Sequence, residues 1–132
     1  MPDPPRASLP QEERLLAPFA ALQLDAYIAA HDAKYTYWGL RPNMTDTTIE
    51  PLIPQPNHPA YVTNAAIIAS ALAELIGYMF PREGDQWRYL AEEAGLSRLY
   101  AGIHYICDER TGNVMGKGLA LLAIQRDQLN AS

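Results

Sequence analysis

The stretch Ser97-Arg98-Leu99-Tyr100-Ala101-Gly102-Ile103-His104-Tyr105-Ile106-Cys107-Asp108 places an arginine, a histidine and a carboxylic acid within a dozen residues. A guanidinium can fork onto an oxyanion, an imidazole can act as base or nucleophile near neutral pH, and a neighbouring acid can fix the imidazole's tautomer. Arg98 and His104 stand six apart, about 240° around an ideal helix, so one straight helix would aim them at different faces. Gly102 is the natural bend between them, with Arg98 on the last turn of one helix and His104 on the turn that follows. Asp108 has two readings at this stage: it hydrogen-bonds the imidazole, or it N-caps the helix that begins with Glu109.

A second pair of cations lies upstream. Lys34 and Arg41 are seven apart, about two helical turns, and share a face if the helix holds that far. The ordinary fate of a Lys and an Arg is solvent, but Tyr35, Tyr37 and Trp38 between them argue for a buried helix end. His58 sits alone in a proline-rich segment, where a histidine is ordinarily a surface residue. Cys107 reads as a small core residue, with no basic residue directly before it to activate a thiolate.

The elements that must position these residues are helical. Residues 1–10 carry four prolines and form an arm; residues 11–132 form one domain. Apolar residues at three- and four-residue spacing predict a helix from Gln11 to Ala33 and on through Lys34, kinked or broken early by Pro18. From Asn43 to Tyr61 the prolines at 51, 54, 56 and 59 make a long loop of the kind that covers a site. Residues 62–80 are apolar nearly all round and should be the central, buried helix, with Thr63 or Asn64 as N-cap and free amides there suited to an anion. Its Glu74 must pair with a base or reach the surface. Two more helices follow, from Asp85 to Tyr100 and from Glu109 to Gln128. In the second, Gly112 and Gly116, four apart, permit close approach of a neighbour. No alternating strand pattern, repeat or phosphate-binding glycine loop occurs. The fold class is all-α, a compact bundle of four to five helices around the helix at residues 62–80.

Composition narrows the function classes. With 48% hydrophobic and 19% charged residues the chain is globular, and a net charge of −5 argues against nonspecific nucleic-acid binding. Glu74 interrupts the most apolar segment, which is short for a membrane span. The single cysteine needs no oxidising compartment, and Met1-Pro2-Asp3-Pro4-Pro5 has no signal-peptide pattern, so the expected location is cytoplasmic.

Taken in order, Lys34-x6-Arg41-Pro42, a central-helix N-terminus, and Ser97-Arg98-x5-His104-x3-Asp108 resemble the type 2 phosphatidic acid phosphatase and vanadium-dependent haloperoxidase superfamily, nearest its soluble bacterial haloperoxidase-like branch. The likeness covers about Asp32 to Leu122. It implies a helical bundle holding phosphate or vanadate through Lys34, Arg41 and Arg98, with His104 as nucleophile or vanadium ligand and Asp108 orienting it. The activity it implies is phosphomonoester hydrolysis or halide oxidation.

The middle motif departs from that pattern. Where the family has Pro-Ser-Gly-His, this chain has Val62-Thr63-Asn64-Ala65. Thr63 can supply a hydroxyl and Asn64 an amide, but Ala65 cannot replace the family's general acid/base histidine, whose loss removes about 10² to 10⁴ in rate. His58 or His31 is a weaker substitute. The bundle is also short for the family, so a homo-oligomeric partner is expected to cover exposed apolar surface. The competing reading is a noncatalytic helical scaffold that keeps the family's frame.

Overall fold

In a computed structural model the chain is described from residue 9 to residue 131, with side chains described from residue 16 to residue 128. Five helices follow in order: α1 (Leu9–Tyr37), the single turn α2 (Pro42–Thr45), α3 (Asn64–Met79), α4 (Gly84–Tyr100) and α5 (Ile106–Ala131). No strand occurs among the described residues, so the all-α expectation holds. Residues 1–8 of the expected proline-rich arm lie outside the described residues, and α1 starts at Leu9 rather than Gln11.

The most apolar segment of the sequence sits at the centre. Helix α3 packs against α1, α4 and α5, burying Ala66, Ile67, Ala71 and Leu75. Leu22, Ala26, Ala30 and Ala33 of α1 and Ala120 of α5 complete the core. Alanines at these contacts let the helices approach closely, and glycines bring α5 closer still. A Cβ at Gly112 would stand 2.9 Å from Ala66 Cβ, and one at Gly116 would overlap Ser70 Oγ and the Ile67 carbonyl. The two glycines four apart do what their spacing suggested. Glu74 is paired as expected: Arg88 Nε donates to its Oε1 at 3.1 Å and Arg88 Nη2 to its Oε2 at 3.0 Å.

Three expectations are overturned. Pro18 does not interrupt α1, which runs through it as one helix; Phe19 and Leu22 pack on the core on the far side and carry the helix across the lost backbone bond. The aromatic end of α1 is not buried, since Tyr35, Tyr37 and Trp38 are 49%, 68% and 65% exposed. Ala30, Ala33 and Lys34 take the inward face, and the rings pack on one another instead, Tyr35 against Trp38 and Tyr37 against Tyr61, each with centroids 5.2 Å apart. Cys107 is exposed on the first turn of α5 rather than in the core. Partial burial, with the Asp108 charge beside it, pushes its thiol pKa up.

No helix among the described residues is long and apolar enough to cross a membrane. Apolar side chains do remain on the outside of α1 and α5, with Leu24, Ile28, Leu121 and Leu122 all more than half exposed.

Candidate functional site

The bend expected at Gly102 is present. Helix α4 ends at Tyr100, the Gly102 amide donates to the Leu99 carbonyl at 2.9 Å, and Gly102 takes φ +74°, a conformation that favours glycine. The turn delivers His104 to the start of α5, 7% exposed, four residues before Asp108, which is 1% exposed. His104 Nδ1 lies 3.0 Å from Asp108 Oδ2. The same oxygen accepts the Tyr105 amide at 3.0 Å. The imidazole-bonding reading of Asp108 holds, but it does not N-cap a helix at Glu109: α5 begins at Ile106, and Asp108 is its third residue, reaching back to the amide just before the helix.

The upstream cations do not share a helical face, contrary to expectation. Helix α1 stops at Tyr37, Trp38 turns the chain with φ 51°, and Arg41 precedes the first residue of α2. The two side chains converge from separate elements nonetheless. Lys34 is fully buried and Arg41 is 2% exposed.

Both cations are committed to the chain's own backbone. Lys34 Nζ donates to the carbonyls of Pro59 at 2.9 Å, Ala60 at 3.0 Å and Val62 at 2.5 Å, which uses its three protons. Arg41 donates through Nε and Nη2 to the His58 carbonyl at 3.2 and 2.9 Å, and through Nη1 to the Ile103 carbonyl at 2.8 Å. Arg41 Nη1 also lies 2.9 Å from His104 Nε2. A guanidinium only donates, so His104 Nε2 carries a lone pair and its proton sits on Nδ1, facing Asp108.

The electrostatics follow from burial. Burial lowers the pKa of His104; the Asp108 hydrogen bond opposes this and the Arg41 and Lys34 charges reinforce it, so the ring titrates below its ordinary 6.5. Burial alone would raise the Asp108 carboxyl, but hydrogen bonds from His104 and the Tyr105 amide outweigh it and hold the acid ionised. Burial, with the Arg41 charge next and Asp108 opposing, lowers Lys34 to about 8, which leaves it charged at neutral pH.

Arg98 differs from the other two cations. It is half-buried, and its side chain makes no hydrogen bond or ion pair among the described residues. It lines a cleft of about 450 Å³ together with His58, Thr63, Asn64, Ala65 and His104. Thr63 is the buried residue before α3; its hydroxyl makes no capping bond, and its amide donates to the Asp108 carbonyl at 3.3 Å. Asn64 Oδ1 is buried without a partner. All seven residues singled out in the sequence therefore lie in one region, with Arg98, Thr63, Asn64 and His104 on the cleft and Lys34, Arg41 and Asp108 behind it.

His58 is the residue sequence reasoning undervalued. It is not a plain surface histidine: its Nδ1 lies 3.2 Å from Arg41 Nη2, and its ring borders both this cleft and a second one of about 450 Å³ on the Trp38 side. The signal available was its position, five residues before Thr63 in the prolines leading into the central helix.

No family model matches the sequence, and no curated protein matches it either. Solved structures do resemble the fold. A bacterial vanadium-dependent iodoperoxidase superposes with a TM-score of 0.76 at 22% identity, over 84% of this chain and 32% of that one. A transmembrane PAP2-type phosphatidylglycerolphosphate phosphatase from Bacillus subtilis superposes with a TM-score of 0.56 at 21% identity, over 86% of this chain and 57% of that one. The chain thus spans about a third of the first structure and somewhat over half of the second. In its helical fold the chain is similar to both of these structures.

Proposed function

We propose that the chain binds a tetrahedral oxyanion, phosphate or vanadate, in the cleft between Arg98 and His104, and that on a phosphomonoester this site transfers the phosphoryl group to His104. One observation carries the reading: His104 Nε2 holds a lone pair with Asp108 behind Nδ1, and an uncommitted guanidinium, Arg98, lines the same cleft. A lone-pair nitrogen beside positive donors is what an oxyanion centre needs, because phosphoryl transfer depends mainly on positioning and charge. Arg98 is the direct clamp in this reading. Lys34 and Arg41, with donors already on carbonyls, contribute buried positive charge behind the nucleophile, while Thr63 and Asn64 supply polar groups at the α3 terminus. The same donor set suits vanadate with His104 as its ligand. Bound there, vanadate would supply peroxide activation for halide oxidation, as the name of the iodoperoxidase neighbour suggests.

Titration calorimetry with phosphate and with vanadate tests the reading. Micromolar to millimolar binding lost in Arg98→Ala and His104→Ala is the expected result; equal heats for parent and variants would sink it.

A second reading has its own observation. Lys34 and Arg41 spend their donors on the chain's own carbonyls, and Ala65 stands where the resembling family keeps its acid/base. A noncatalytic scaffold, oligomeric through the apolar faces of α1 and α5, fits these facts. Turnover equal to buffer on aryl phosphates and on bromide with peroxide, together with an oligomer in light scattering, would select it. If the first reading holds, Ala65→His raises either activity above the parent.

A further inference from the structure

We infer that His58, on the loop before α3, donates the proton to the leaving group when a phosphoester reacts at His104, taking the role that Ala65 cannot fill. This rests on the phosphoryl-transfer reading above. Two imidazoles border the cleft, and their chemistry is divided by their partners. His104 is fixed with its lone pair on Nε2 by Arg41 and its proton on Nδ1 by Asp108, which suits attack and not proton donation. His58 is half-buried, has no carboxylate partner among the described residues, and keeps Nε2 without a protein hydrogen bond there.

The Nδ1 atom of His58 has two neighbours of opposite kind. Arg41 Nη2, at 3.2 Å, can only donate to it; the Pro59 carbonyl, at 3.3 Å, can only accept from it. The ring accepts from Arg41 at Nδ1 only when its single proton is on Nε2; the imidazolium, and the neutral ring left when Nε2 gives up its proton, both donate from Nδ1 to Pro59. The Pro59 carbonyl thus holds Nδ1 in both of the latter forms, and Nε2 is left to give and take the proton. His31 holds the ring from behind. Its own Nδ1 is 3.0 Å from the Tyr27 carbonyl, and its ring meets His58 edge-on with centroids 5.3 Å apart. His31 does not border the cleft and acts as a positioning residue.

The reaction balances over two steps. The His104 Nε2 lone pair forms the N–P bond as the P–O ester bond breaks; the leaving oxygen keeps the electron pair and takes the Nε2 proton of the His58 imidazolium. The neutral His58 then removes a proton from a water that attacks phosphorus, the N–P pair returns to His104, and phosphate and the protonated His58 result.

The test compares two esters. A nitrophenyl phosphate leaves without help, whereas a primary alkyl phosphate must be protonated. His58→Gln keeps an acceptor for Arg41 but has no titrating proton. Its kcat/KM should fall about 10² to 10⁴-fold on the alkyl ester and less than about tenfold on the nitrophenyl ester. His58→Ala should show the same split, and free imidazole should restore its alkyl-ester rate selectively. Equal losses on both esters, or no loss on either, would overturn the role of His58 while leaving phosphoryl transfer at His104 in place. A parent that hydrolyses neither ester would overturn the phosphoryl-transfer reading itself, and this inference with it.

Discussion

Arg41 Nη1 stands 2.9 Å from His104 Nε2, so a permanent cation donates to the nitrogen that would attack an electrophile. The contact disfavours protonation of that nitrogen and leaves the Nδ1 proton to Asp108, and it must open for the same lone pair to attack. Two-bond ¹⁵N–¹H spectra should find His104 as the neutral Nδ1–H tautomer at neutral pH. A ring that titrates at or above 6.5 would contradict this.

Stability should fall on mild acidification. His104 is lowered by burial and the nearby cations, and His58 chiefly by burial, from an ordinary 6.5. Unfolded chains then bind more protons than folded ones below 6.5, so the stability contributed by these neutral rings is complete above that value and is lost as pH drops through the folded values. Urea midpoints measured from about pH 7.5 down to about pH 5 should decline; a flat profile would mean the rings are not buried as described.

The three cations should separate in a stability assay. Arg41→Ala strands the carbonyls of His58 and Ile103 in the interior and should cost about 3 kcal/mol. Lys34→Met strands those of Pro59, Ala60 and Val62 and should cost a similar amount. Arg98→Ala breaks no bond to the described residues and should stay within about 0.5 kcal/mol while abolishing oxyanion binding. Equal destabilisation by Arg98→Ala would refute the division.

Helix α5 offers a matched pair of glycines. A methyl at Gly116 meets Ser70 Oγ and the Ile67 carbonyl, and Gly116→Ala should destabilise by about 2 kcal/mol or more. Gly118 has nothing within 4 Å of a built Cβ, so Gly118→Ala should stabilise by about 0.5 to 1 kcal/mol. Melting temperatures moving in the same direction would show that α5 does not face α3 in this register.

Much of this fold could be read from local pattern. Helix α3 lies within two residues of its expected span because its apolar run is bounded by Thr63 and Pro81, and the Gly102 bend is a local conformational demand. Asp108 and His104 are close in sequence, so their bond was legible too. What failed depended on distant packing. Whether α1 survives Pro18, and which side of its end turns inward, is decided by how α1 docks on α3. The separation of Lys34 from Arg41 depends on Trp38 taking a conformation usually left to glycine. His58 gained its place through bonds to Arg41 across a loop, which no periodicity encodes.

The carbonyls of residues 58 to 62 and of Ile103 are tied down by Lys34 and Arg41, side chains that also surround the candidate nucleophile. Folding and function therefore draw on the same bonds. In a cell, variants at 34 and 41 should be lost mainly through lowered abundance, as chaperones and proteases clear chains that open too often. Variants at 98 should accumulate to normal levels and be silent. Protein level, compared across these positions, becomes a reporter of which charges build the site and which one serves it.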